Sequence, residues 1–162
     1  MRSLALTVLL CLAAAWPALA NRPDEKTASL SREALGPIEW ALAQIESGHL
    51  RNPDLAKGAS GEVSRFQIMP AVWKSYSRSR NYSNPQVAWS VAHRILKDRQ
   101  NWFISATGRE PAPFDLYVMW NKPGLYERLA FNRKRLPRTL ADIARRFETL
   151  VTGEHVMKLS AR

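Results

Sequence analysis

Read as a succession of apolar and polar positions, the chain first predicts a helix over "PIEWALAQIES". Ile38, Ala41, Leu42 and Ile45 follow i, i+3, i+4, i+7 spacing and so share one face. Pro37 suits the first helical turn, and Gly48 ends the helix. Residues 48–61 carry Gly, Asn-Pro and Gly-x-x-Gly signals and predict a long ordered loop. "EVSRFQI" is too short for a helix before Pro70 and reads as one or two short strands; a short helix over "AVWKSYS" follows. Asn84-Pro85, a cap and a first-turn residue, opens a long helix to about Ala106. Its apolar pairs Val87/Ala88, Val91/Ala92, Ile95/Leu96 and Trp102/Phe103 recur at near-helical spacing.

The next segment, "PFDLYVMWN", is apolar almost all round, which predicts a central buried helix ending at Asn121. Gly124 to Phe131 adds a helical turn or two. The last helix opens on the capping-box-like Thr139-Leu140-Ala141-Asp142 and continues through Ile143, Phe147 and Leu150. The pattern predicts a mainly α single domain with a small β or irregular insert.

The first twenty residues stand outside that pattern. Arg2 gives a positive start, Leu4 to Ala15 an apolar stretch, and Ala18-Leu19-Ala20 a small-residue cleavage site. This predicts a secretory signal peptide cut after Ala20 and a periplasmic or secreted product, with no stable membrane span once the signal is removed. Residues 21–35 are polar and mixed in charge and read as a flexible leader, leaving 36–162 as the folded domain. At 162 residues, 46% of them hydrophobic, the chain suffices for one core. Cys11 falls within the signal, so disulfide and thiol chemistry are excluded from the mature chain.

Net charge is +10, or +9 once Arg2 is removed. An exported basic domain fits anionic cell-envelope material better than nucleic acid. Basic runs such as Arg133 to Arg138 read as solvated surface. His49, His93 and His155 are isolated and lack metal-type spacing, and neither a phosphate-cradling glycine loop nor a nucleotide fingerprint occurs. Neither a metal nor a cofactor is expected.

The candidate chemistry starts at Glu46. It follows Ile38 and Leu42 by eight and four residues and so lies on the edge of the same helical stripe. Partial desolvation and the negative end of the helix dipole both raise a carboxyl pKa, which suits a general acid working near neutrality. Glu39, two turns earlier, serves the helix N-terminus instead.

Four segments then carry a resemblance. "GEVSRFQIMP" is similar to the signature of soluble lytic transglycosylase domains, agreeing at Gly61, Val63, Gln67, Ile68, Met69 and Pro70. "ESGHLRNPD" resembles that family's Glu-Ser phrase and Asn-Pro, through Glu46, Ser47, Asn52 and Pro53. "NPQVAWSVAHRIL" resembles its Asn-Pro helix, and "VMWNKPG" its Ala-Tyr-Asn-Ala-Gly phrase, through Asn121. The segments keep the family order from Pro37 to Gly124.

The resemblance implies a lysozyme-like fold and cleavage of peptidoglycan glycan strands. Glu46 would be the sole catalytic acid/base, protonating the oxygen between N-acetylmuramic acid and N-acetylglucosamine. It would then take the proton of the muramic C6 hydroxyl as a 1,6-anhydro ring closes. Ser47 would support the helix end, Gln67 would bond substrate in the cleft, and Asn121 would orient the sugar or the acid. Trp120 and Trp73 are either sugar-stacking or core residues.

The chain departs from the family pattern in several places. The loop between Glu46 and Gln67 is longer, and Ser64 and Arg65 replace Gly and Leu. Trp120 stands where the family has a tyrosine that positions the acid; an indole only donates, so Tyr117 or Tyr126 would have to compensate. Two alternatives stay open. A hydrolytic muramidase would use Glu46 with Glu62 or Asp54 as a second carboxylate. A non-catalytic wall-binding relative would keep the cleft without competent geometry.

Overall fold

The structure, a computed structural model, describes the backbone of residues 36–160 and the side chains up to Gly153. The signal peptide and leader expected over 1–20 and 21–35 lie outside the described residues. Among the described residues, six α-helices make up the fold: α1 Pro37–Ser47, α2 Pro70–Tyr76, α3 Pro85–Thr107, α4 Pro113–Asn121, α5 Pro123–Arg128 and α6 Arg138–Ser160. The expectation of a mainly α chain holds. The first five helices each open on a proline, whose fixed φ and missing N–H suit a position with no intrahelical partner.

Local chemistry sets several boundaries. Asn84 Oδ1 accepts from the Val87 backbone N–H at 2.9 Å and starts α3; Gly108, left-handed at φ 69°, closes it. In α4, Asp115 accepts the Ala112 N–H at 3.1 Å. This helix packs against α3, α5 and α6, and α1 packs against α6, so α4 is the central helix that its all-round apolarity predicted. Phe114, Tyr117, Val118 and Met119 are all buried there.

The buried face of α6 differs from expectation. Leu140, Ala141, Ala144 and Phe147 face the core, whereas Ile143 lies at the edge of that face and is 40% exposed. Leu140, Ala144 and Phe147 have the same i, i+4, i+7 spacing as Ile143, Phe147 and Leu150, so packing against α1 and α4 rather than period decides which run is buried.

Between α1 and α2 lies the insert. Its strand content is limited to two isolated bridges, Lys57 with Val63 and Val63 with Ile68. Val63 and Ile68 exchange N–H···O bonds of 2.9 Å in both directions, and a tight turn joins them. Within it Ser64 and Gln67 both have positive φ, 67° and 47°, a left-handed backbone that carries strain for residues other than glycine.

Arg133 corrects another expectation. Rather than being simply solvated, it donates to the fully buried Asp115 at 2.9 and 2.7 Å and shares that carboxylate with Arg109 and Tyr126. Among the described residues, no helix is long and apolar enough to cross a membrane.

Candidate active site

Glu46 sits at the last turn of α1, and the residue after it fastens that turn to the insert. Ser47 is fully buried, and its hydroxyl donates to the Arg65 carbonyl at 2.8 Å. The Arg65 side chain in turn donates to both oxygens of Asp54, at 2.5 and 2.6 Å, in a buried bidentate pair. Helix end, loop and turn are thereby joined in one frame.

This frame bears on two sequence-based assignments. Ser47 supports the helix end but presents no surface to a substrate. Asp54 is 6% exposed, is bound by Arg65 and lies outside the cleft described below, so it drops out as a second carboxylate. Loop and turn belong together here. The loop brings Asp54, and the turn brings the arginine that neutralises it.

A cleft of about 490 Å³ opens beside Glu46. Gly58, Ala59, Glu62 and Gln67 of the insert form one part of its lining, and Met69 and Val72 extend it into α2. Ile95 and Arg99 contribute from α3, and Trp120, Asn121, Lys122 and Pro123 from the α4–α5 junction. The insert approaches closely at Gly58. A Cβ there would run into the Glu62 carboxylate and come within 2.6 Å of Gln67 Oε1, so glycine lets these two side chains lie against the backbone. Glu62 also accepts from the Ser60 N–H at 3.0 Å, and Gln67 donates to the Ser64 carbonyl at 3.0 Å.

Burial raises the Glu46 carboxyl from 4.5 to about 7. Two donors from α4 oppose that shift. Tyr117 donates its hydroxyl to Glu46 Oε1 at 3.2 Å, and the neighbouring Trp120 indole N–H favours the charged form more weakly. The negative charge of Glu62, across the cleft lining, pushes the Glu46 value up. Tyr117 is itself held in its phenol form by burial and by the neighbouring carboxylate, while Asn121 interacts with its oxygen. A carboxyl in this setting is partly protonated at neutral pH, so it can both release and accept a proton.

The remaining candidates have other tasks. Trp73 is core, 1% exposed, with its indole N–H donating to the Ser79 carbonyl at 2.8 Å. Tyr126 donates to Asp115 at 2.6 Å and takes no part in the cleft, so of the two tyrosines considered it is Tyr117 that reaches the acid. Glu39 is buried, with its carboxyl pKa raised by burial and held back by the Arg65 charge and a bond to the Gly36 backbone at the head of α1. His49 is exposed and does not line the cleft. Among the described residues, no group of three His, Cys, Asp or Glu side chains forms a metal site.

Sequence reasoning missed Arg99 and Lys122. The available signal for Arg99 was its place one turn after Ile95 on α3; nothing local marks Lys122. Compared with known proteins, the chain matches no family model, no curated protein and no solved structure.

Proposed function

We propose that the protein cleaves peptidoglycan glycan strands by the non-hydrolytic, lytic transglycosylase route, on a lysozyme-like fold, as an exported enzyme of the periplasm or cell exterior. One observation carries this reading. A half-buried glutamate with a near-neutral pKa is held by Tyr117 in an open cleft that also contains Gln67, Trp120 and Asn121. All four segments that resemble the family contribute to that cleft, the one on α3 through Ile95.

In the proposed reaction the protonated Glu46 gives its proton to the glycosidic oxygen as the bond to the muramic C1 breaks. The C6 hydroxyl of the same sugar then attacks C1, and the Glu46 carboxylate takes the hydroxyl proton. The two products together retain every atom of the substrate, so no water is consumed. One carboxyl suffices because the nucleophile is tethered within the substrate. Tyr117 supplies, from one turn earlier on α4, the phenol that the resembled family places at the position of Trp120. Trp120 is then free to offer its ring to a sugar while its N–H steadies the acid.

A second reading rests on Glu62, which lines the same cleft and acts electrostatically on Glu46. A hydrolytic muramidase would use it to activate water or to stabilise positive charge at C1. Incubating the protein with purified sacculi and weighing the released muropeptides separates the two. Anhydro ends, lighter by one water, are expected. Reducing ends would transfer the assignment to the hydrolase, and binding without release would leave a wall-binding protein.

A further inference from the structure

Two cations in the cleft have no part in the proton transfers. Arg99 comes from α3, and Lys122 directly follows Asn121 at the end of α4. Among the described residues no carboxylate forms an ion pair with either of them. Arg99 Nε is buried without a hydrogen-bond partner. A donor left unpaired inside the protein is unfavourable, and the guanidinium that carries it stands at the cleft wall with no protein carboxylate to bind. The guanidinium carbon lies 5.4 Å from the centroid of the Trp102 ring, which steadies the planar fork. That fork matches the two oxygens of a carboxylate. The other two charged residues of the cleft, Glu46 and Glu62, come from α1 and the insert, so acids and cations enter it from different elements.

We infer that Arg99 and Lys122 form an anion subsite for a carboxylate carried on the lactyl side chain of a muramyl residue, making the cleft selective for such strands over neutral N-acetylglucosamine polymer. The inference rests on the glycan-cleaving reading and deepens it. The carboxylate has two chemical sources: the lactyl group itself where it is free, or the stem peptide where one is attached. A subsite that holds the anion of one muramyl residue would also fix the register of the strand against Glu46.

Binding to the full-length exported protein carrying E46Q, which prevents turnover, tests this by calorimetry. The ligands are neutral N-acetylglucosamine hexamer, peptide-free glycan with free lactyl carboxylates, and peptide-bearing glycan. With R99A added, the preference for a carboxylate-bearing strand over the neutral hexamer is expected to fall about tenfold or more; K122A lowers it less, and R99K restores part of it. R99Q, which keeps polarity and most of the volume, replaces R99A if that variant fails to fold. Loss confined to peptide-bearing strands assigns the anion to the stem, loss confined to peptide-free strands assigns it to the lactyl group, and loss on both shows that the subsite accepts either carboxylate. An unchanged preference in R99A or R99Q, with glycan still bound, overturns the subsite alone. A protein that binds none of the three ligands overturns the glycan reading and the subsite with it.

Discussion

Tyr117 and Glu46 are 71 positions apart in the chain, and in the fold the phenol of one donates to the carboxylate of the other at 3.2 Å. The contact joins the central helix α4 to the end of α1. It gives the carboxylate a hydroxyl that can both donate and accept, which the Trp120 indole cannot do. Burial and this bond act in opposite directions on the same carboxyl, and their balance leaves it near neutrality.

Glu46 is a proton donor only while protonated, so cleavage is expected to decline as pH rises through about 7. Its raised pKa also affects folding. The folded protein holds a proton that the unfolded chain releases above its value of 4.5, so stability from this group is full below that pH and is lost as pH rises through about 7. E46Q should abolish release of muropeptides and be more stable than the parent at pH 8, by about 1–3 kcal/mol, with no such gain at pH 4. Urea unfolding at the two pH values checks this, and equal differences at both would contradict it.

Y117F removes one donor from the carboxylate while keeping a ring that packs against Phe147 at 5.4 Å. Because the Tyr117 bond lowers the Glu46 pKa, its loss should move the alkaline limb of the pH–rate profile to higher pH. The rate at pH 6 should fall roughly tenfold to a hundredfold as the acid loses its alignment, while stability changes by only about 1 kcal/mol. A profile with its limb unmoved would show that the bond does not form in solution.

For E62Q the limb should move the other way, because the Glu62 charge raises the Glu46 value. Under the transglycosylase reading the maximal rate stays within roughly tenfold of the parent and the products remain anhydro. A loss of roughly a hundredfold or more would mean that Glu62 does chemistry itself.

Breaking the buried Arg65–Asp54 pair on one side, by R65M or D54N, should destabilise the protein by about 3–5 kcal/mol, because the surviving partner is left buried and uncompensated. The double variant R65M/D54L should recover most of that loss. Chemical denaturation of the three variants tests the point; additive losses would mean that the two groups act independently.

Asp115 governs behaviour in acid. Burial alone would raise its pKa, but bonds from Arg133, Arg109 and Tyr126 outweigh that and bring it from 3.8 to about 2. The group's stabilising contribution is therefore full above about 3.8 and is lost as pH falls through about 2. D115N should remove about 2 kcal/mol of this pH dependence between pH 4 and 2, read from melting temperatures across that range.

The sequence by itself determined the elements. Prolines at helix starts, the Asn84 cap, Gly108 and the apolar spacing along α3 are local signals, and each lies within a few residues of the boundary it sets. The all-round apolarity of "PFDLYVMWN" likewise announced a central helix, since a helix with no polar face has to be surrounded. Glu46 stood out because its position on the stripe edge follows from helical period alone. On α6, Ile143 and Leu140 compete for one narrow face, and only the neighbouring helices decide which turns inward.

Tertiary structure decided every pairing. Arg65 chose Asp54 over Glu62, Tyr117 rather than Tyr126 reached the acid, and Arg99 and Lys122 arrived at the cleft from α3 and the α4–α5 junction. Such partnerships depend on distances between side chains far apart in sequence, and a periodic pattern carries no information about those distances. The same holds for the near-neutral carboxyl. Its helix position could be counted, but its pKa depends on how much water the α4 side chains exclude and on which of them turn a donor towards it.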